Sequence, residues 1–281
     1  MSDFLEQDID IKKSAGVADL SQERSRLRIT GRDRAAFLHG QCTNDVKRLA
    51  VGQSCYAAFL NAKGKMRGDG YILCLDDAIL VEASRGLLAS LERYIITEDV
   101  ILEDMSESLG EWLVVGAKEV AMPPGAKTFA HALGTAVIGS MPMAAKLSEE
   151  ELEVVRIEVG VPRWGVDMNE DTIPVEAGLE TRAISYDKGC YIGQETIARI
   201  KTYGHVNRQL IQCEVQGARL PERGEKIVAD DREVGWVTSA ANSMRLGKRL
   251  ALGYVRREFA TKGLKLKINQ QPMEVLKICG I

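Results

Sequence analysis

From Arg208 onward the chain changes texture, and this limits its fold more than any other feature. Six short runs, Leu210 to Val215, Lys226 to Ala229, Glu233 to Ser239, Arg249 to Val255, Leu264 to Ile268 and Met273 to Ile278, are separated by glycine, proline and charge. Runs this short have strand length, and several at regular spacing with turn signals between them predict a small barrel or sandwich. The change of texture places a domain boundary near residue 207, with 1–207 as one region and 208–281 as the other.

The N-terminal region alternates two periodicities. Arg26 to Thr30, Ser54 to Leu60, Gly70 to Leu75 and Ala78 to Glu82 read as strands. Asp33 is a candidate cap for a helix over Arg34 to His39, and a helix from about Ser84 to Ile96 would put Leu87, Leu88, Leu91, Tyr94 and Ile95 on one face. Weaker strands follow at Trp112 to Gly116 and Ala136 to Gly139, with Pro-Pro-Gly at 123–125 as a turn between them. Ser148 and the acidic turn Glu149, Glu150, Glu151 start a helix to about Val159, where Gly160 and Pro162 stop it. The fold class is therefore α+β. At 281 residues, 45% hydrophobic and 27% charged, the chain is long and apolar enough for two or three compact units.

One octapeptide carries chemistry: KGCYIGQE, Lys188 to Glu195, sets a cysteine between two glycines just before a helix start. Gly189 and Gly193 permit positive φ or a close backbone approach, and Gln194 to Arg199 read as helix. Cys190 would then lie near the positive end of a helix dipole, two residues from the Lys188 ammonium, and both favour a thiolate. The other reading makes Cys190 a small buried apolar residue and the glycines simple turn formers. The sequence leaves both open.

Net charge of −3 gives no global attraction to nucleic acid, although Arg199, Lys201, His205 and Arg208 form a local basic stretch that also reads as a solvated helix end. The N-terminus is polar and acidic, and no uncharged run of about 18 residues suggests a membrane span. Six scattered cysteines without a CxxC, and three histidines, make no metal-ligand pattern. Free thiols in a reducing, cytoplasmic setting are expected.

KGCYIGQE, followed by ARIKTYGHVNR (Ala198 to Arg208), resembles the folate-binding YgfZ family, relatives of the glycine cleavage T-protein (aminomethyltransferase) linked to iron-sulfur protein maintenance. AGVADLS (Ala15 to Ser21), FLHGQCTND (Phe37 to Asp45), FLNAKGKMRGD (Phe59 to Asp69), RIEVGVPRWGVDMNEDTIPVEAGLE (Arg156 to Glu180), GWVTSA (Gly235 to Ala240) and LGYVR (Leu252 to Arg256) stand in that family's order. The resemblance implies a T-protein-like cloverleaf of two intertwined mixed α/β modules plus a C-terminal six-stranded β-barrel, arranged around a folate channel. It further implies a protein that binds tetrahydrofolate or a one-carbon derivative and supports assembly or repair of iron-sulfur enzymes, including cluster-dependent tRNA modification. Its partners would be folate and iron-sulfur proteins or their assembly machinery, as a helper and not a cluster holder; direct tRNA contact stays open. Two alternatives remain: an aminomethyltransferase of the glycine cleavage type, and a non-catalytic protein-binding module on the same fold. Against the first stand the cysteine motif, the glycine at position 68 and a chain shorter than typical T-proteins.

The resemblance also points to site residues. Glu158 stands where the T-protein glutamate recognises the pterin, whose N–H and exocyclic amine suit a carboxylate; the other reading is a solvent-facing helix glutamate. Trp164 would flank a flat ring or fill a core. Asp69 keeps the second position of a T-protein acidic pair whose first position here is Gly68: if the catalytic carboxylate is the first of the pair, this chain has lost it, and if the second, Asp69 would orient N5 or N10 of the cofactor; the other reading is a strand-end or turn aspartate. Asn61, Lys63 and Lys65 would meet a folate tail or be solvated turn residues. Lys188 would activate Cys190, while Tyr191 and Gln194 would line a pocket, Gln194 alternatively satisfying backbone groups at the helix start.

Overall fold

The computed structural model describes residues 16–116 and 120–280. The acidic N-terminus lies outside them.

Two antiparallel sheets make the N-terminal region. Strands β2 (Arg24–Thr30), β3 (Ser54–Leu60), β4 (Met66–Cys74), β5 (Ile79–Ser84) and β6 (Ile101–Asp104) form a five-stranded sheet in the order β3-β4-β5-β2-β6. A four-stranded sheet of order β1-β7-β9-β8 joins β1 (Gly16–Asp19) to β7 (Gly110–Val115), β8 (Lys127–His131) and β9 (Gly134–Gly139). The first strand of the second sheet thus precedes all of the first, which intertwines the modules. Arg26, fully buried on β2, pins the crossing: Nε donates to the Leu109 carbonyl at 3.0 Å and Nη2 to the Ser106 carbonyl at 2.6 Å. The two sheets share an apolar core in which Tyr56, Tyr71 and Leu73 meet Phe129, Ala136 and Ile138.

The six expected C-terminal strands close into a barrel: β10 (Arg208–Val215), β11 (Lys226–Ala229), β12 (Arg232–Ser243), β13 (Lys248–Arg256), β14 (Lys265–Ile268) and β15 (Gln271–Ile278), in the order β10-β13-β12-β11-β14-β15. Closure removes free strand edges.

Helix α3 (Glu149–Val159) begins and ends where the sequence reads it. The Ser148 hydroxyl accepts from the Glu151 N–H at 3.2 Å while the Glu151 carboxylate accepts from the Ser148 N–H at 2.8 Å, and Gly160 turns left-handed at φ 78°. Helix α5 (Gln194–Tyr203) likewise starts after Gly193 at φ 84°.

Other expectations need correction. Helix α1 (Arg34–Gln41) follows Asp33, but the Asp33 carboxylate accepts from the Asp99 N–H at 2.9 Å instead of capping. Helix α2 spans only Leu87–Glu92, because Ser84 ends β5 and Gly86 at φ 87° resets the backbone. Past Glu92 the chain tightens into three-residue turns, Tyr94 N–H to Leu91 and Ile95 N–H to Glu92, leaving Tyr94 exposed. Gly189 does not adopt positive φ. Strands β1, β6 and β8 and the short helix α4 (Glu180–Ala183) lack a readable period.

Candidate functional site

Alternation along β3, β4 and β5 puts an unusual set of polar side chains on one face of the five-stranded sheet. Tyr56 pairs in register with Tyr71, Tyr71 with Glu82, and Asp69 stands two residues from Tyr71 on the same face. Arg24 reaches across from the start of β2: Nη1 donates to Asp69 Oδ1 at 2.9 Å, Nη2 to Glu82 Oε2 at 3.1 Å, and Nε to Glu82 Oε1. Tyr56 completes the group by donating its hydroxyl to Asp69 Oδ2 at 2.6 Å. Burial opposes the Arg24 charge, but the Asp69 and Glu82 carboxylates outweigh it and hold its pKa well above the usual range. Burial, then the Asp69 carboxylate, raise the Tyr56 phenol far above its ordinary value, so it stays protonated and donating.

This group forms one wall of a cavity. Its other walls come from α3 and the loop after it (Leu152, Glu153, Arg156, Trp164), from the second sheet (Leu113, His131) and from Arg182 on α4. Arg182 lies over the Tyr56 ring at 4.9 Å and donates to the Tyr71 hydroxyl at 3.2 Å. Glu23 also lines the cavity, its pKa raised by burial against the pull of Arg163 at 3.6 Å. Arg156 fixes the α3 wall: it donates to Glu153, to the Val161 carbonyl at 2.9 Å and to Asp167 Oδ2 at 2.6 Å. Asp167 Oδ1 in turn accepts from the Ser239 hydroxyl of β12 at 2.8 Å, which ties the wall to the barrel.

Of the residues singled out in the sequence, the cavity gathers Asp69 and Trp164. Asp69 is buried and paired, not an exposed turn residue. At position 68 alternation points the other way: a Cβ there would lie 2.3 Å from Ser84 Oγ and 3.4 Å from Leu87 of α2, so position 69 is the one that faces the cavity.

Glu158 is placed elsewhere. Glu149, Leu152, Glu153 and Arg156 share the cavity face of α3 at helical spacing, and Glu158, two residues beyond Arg156, falls on the opposite side. It is buried, not solvent-facing: Oε1 accepts from the Ser243 hydroxyl and Oε2 from Arg245 Nη2 at 2.5 Å, both on the β12–β13 hairpin. Its carboxylate is a tie between helix and barrel.

The Cys190 loop forms a second group that does not line this cavity. Gly193 lets it press on the turn after β3, where an added Cβ would lie 2.6 Å from the Asn61 carbonyl. Asn61 itself holds that turn, its Oδ1 accepting from the N–H groups of Lys63 at 2.9 Å and Lys65 at 3.2 Å. Gln194 satisfies backbone at the helix start by accepting from the Tyr191 N–H at 3.3 Å. Tyr191 is buried in the core shared by the two sheets. Cys190 is exposed, which excludes the buried apolar reading. Lys188 is buried instead: its ammonium donates to the His39 carbonyl at 2.5 Å and the Cys42 carbonyl at 2.6 Å, and lies 4.8 Å above the Tyr191 ring. Its charge is committed to the end of α1, so the expected role as activator of Cys190 is replaced by an anchoring one.

Arg24, Tyr56, Tyr71, Glu82, His131 and Arg182 were not singled out in the sequence. Glu82 did carry a signal, a carboxylate inside the apolar run ILVEAS, since a charge inside a buried strand needs a partner. His131 and Arg182 carry none, because their place depends on long-range packing. Among the described residues all six cysteines are free, no group of three or more His, Cys, Asp or Glu could hold a metal ion, and no helix is long and apolar enough to cross a membrane.

Comparison with known proteins agrees with this architecture. Residues 3–122 match the GCVT N-terminal domain, and residues 208–277 the glycine cleavage T-protein C-terminal barrel domain. An Arabidopsis thaliana protein, named provisionally as a chloroplastic transferase, is 26% identical over 302 residues, spanning 90% of this chain and 68% of its own length. An aminomethyltransferase of Caldanaerobacter subterraneus subsp. tengcongensis is 24% identical over 321 residues, spanning 95% of this chain and 84% of its own. The crystal structure of the glycine cleavage system aminomethyltransferase T from Bartonella henselae superposes with a TM-score of 0.77 over 95% of this chain and 86% of that one, at 17% identity. The chain thus matches the GCVT N-terminal domain and, further along, the T-protein C-terminal barrel domain, and has the T-protein-like fold.

Proposed function

We propose that this chain binds tetrahydrofolate, or a one-carbon derivative of it, in the cavity walled by Asp69, and that it serves in the cytoplasm as an accessory protein for assembly or repair of iron-sulfur enzymes, including those that modify tRNA. The observation that carries the folate reading is the Asp69 group: a buried carboxylate held by Arg24 and Tyr56 on the wall of a cavity that both sheets and α3 line, in a chain that matches both T-protein domains. A carboxylate so held accepts an N–H of a reduced pterin as a charge-assisted bond, and the Trp164 and Tyr56 rings suit a flat heterocycle.

The iron-sulfur part rests on the resemblance of KGCYIGQE and on the exposure of Cys190, which leaves the thiol open to a partner as a nucleophile, a redox thiol or a transient ligand. A strain lacking the gene tests it. The unaltered chain is expected to restore cluster-enzyme activity and Cys190→Ala is not; full restoration by the variant ends the role of the thiol.

A second reading, aminomethyl transfer, is favoured by the placement of Asp69 on the cavity. Formation of methylene-tetrahydrofolate from an aminomethyl-lipoyl donor decides for it.

A further inference from the structure

Two neighbouring side chains on the cavity wall, His131 and Tyr71, each hold a hydrogen-bond donor without an acceptor among the described residues. His131, at the end of β8, accepts the Leu133 N–H on Nδ1 at 3.1 Å, so the neutral ring carries its proton on Nε2. Burial, then the Arg182 and Arg24 guanidiniums, push this imidazole down to about 3, so it is neutral at working pH. Nε2–H has no acceptor among the described residues. The Tyr71 ring lies 4.9 Å from the His131 ring, and its oxygen accepts twice, from the Ala132 N–H at 2.9 Å and from Arg182 Nη2 at 3.2 Å. Both lone pairs are thereby used, and burial raises the phenol's pKa, so the O–H proton stays and has no acceptor among the described residues. Both side chains line the cavity.

We propose that His131 and Tyr71 act as a neutral two-donor clamp for a carbonyl oxygen of the ligand, so that the cavity selects a 4-oxo pterin over its 4-amino counterpart. The inference rests on the folate reading above and adds what that reading does not contain, the group that sets ring selectivity. A carbonyl oxygen has two lone pairs for the two donors. An amino group at the same position meets N–H and O–H with no lone pair to receive it, and a buried donor facing a donor is strongly disfavoured.

The test is anaerobic calorimetry with 5,6,7,8-tetrahydrofolate and 5,6,7,8-tetrahydroaminopterin, which differ in the 4-substituent and in the N3 hydrogen that only the 4-oxo ring carries, so the readout is the change of their affinity ratio between wild type and variant. The wild type is expected to bind the 4-oxo ligand at least about tenfold more tightly, and His131→Phe, which keeps a ring and removes the donor, to bring the ratio to within about twofold. An unchanged ratio in the variant overturns the clamp and leaves folate binding standing. No binding of either ligand to the wild type overturns the folate reading and the clamp with it. Imidazole ¹⁵N shifts of the wild type provide a check that does not depend on how the variant folds. An Nε2–H tautomer whose signals move with the 4-oxo ligand and not with the 4-amino one is expected; an Nδ1–H tautomer contradicts the clamp.

Discussion

At the scale of single residues, two carboxylates that both stand in the sequence as site candidates face different parts of the fold. Asp69 faces the cavity and Glu158 faces the barrel. Asp69→Asn keeps the size of the side chain and weakens the charge-assisted bond to a ligand, so tetrahydrofolate affinity is expected to fall about tenfold or more. Glu158→Gln is expected to cost stability, about 1–3 kcal/mol in chemical denaturation, with affinity little changed, because it loosens the bonds from Ser243 and Arg245. His131 supplies a pH signature. Its folded pKa, about 3, lies below the ordinary 6.5, so between these values the unfolded chain binds the extra proton. Stability carried by the neutral ring is therefore present above about pH 6.5 and lost as pH falls toward 3; denaturation midpoints of His131→Phe should drop less over that window than those of the wild type. Sequence made Asp69 and Trp164 legible through their motifs. It hid Arg24, Tyr56 and Arg182, because an arginine or tyrosine near an apolar strand reads the same whether it meets a carboxylate or water.

At the scale of elements, legibility followed local chemistry. The α3 boundaries, the α5 start and all six barrel strands were readable because capping side chains, left-handed glycines and turn residues act within a few positions. The overlong reading of α2 failed because its apolar spacing was right but Gly86 and the tie between Ser84 and the Asp69 N–H belong to strand pairing. The Cys190 loop gives the sharpest test at this scale. Gly193→Ala puts a methyl at φ 84°, 2.6 Å from the Asn61 carbonyl, and is expected to destabilise by about 1–3 kcal/mol, lowering Tm by several degrees. A change under one degree contradicts the close packing of loop on turn.

For the whole molecule, the intertwining of two sheets was legible through family resemblance and not through periodicity, because β1 pairs with β7 across the entire five-stranded sheet and no local pattern records that separation. The cavity is a product of the same arrangement: both sheets, α3 and its loop, and α4 each give a wall, so none of its chemistry exists in one segment. The central claim is that this composite cavity binds tetrahydrofolate through Asp69. Anaerobic calorimetric titration of tetrahydrofolate into the wild type and Asp69→Asn tests it most directly. One-to-one binding that the variant weakens at least about tenfold is the predicted result; no binding to the wild type, or equal binding to both, would contradict it.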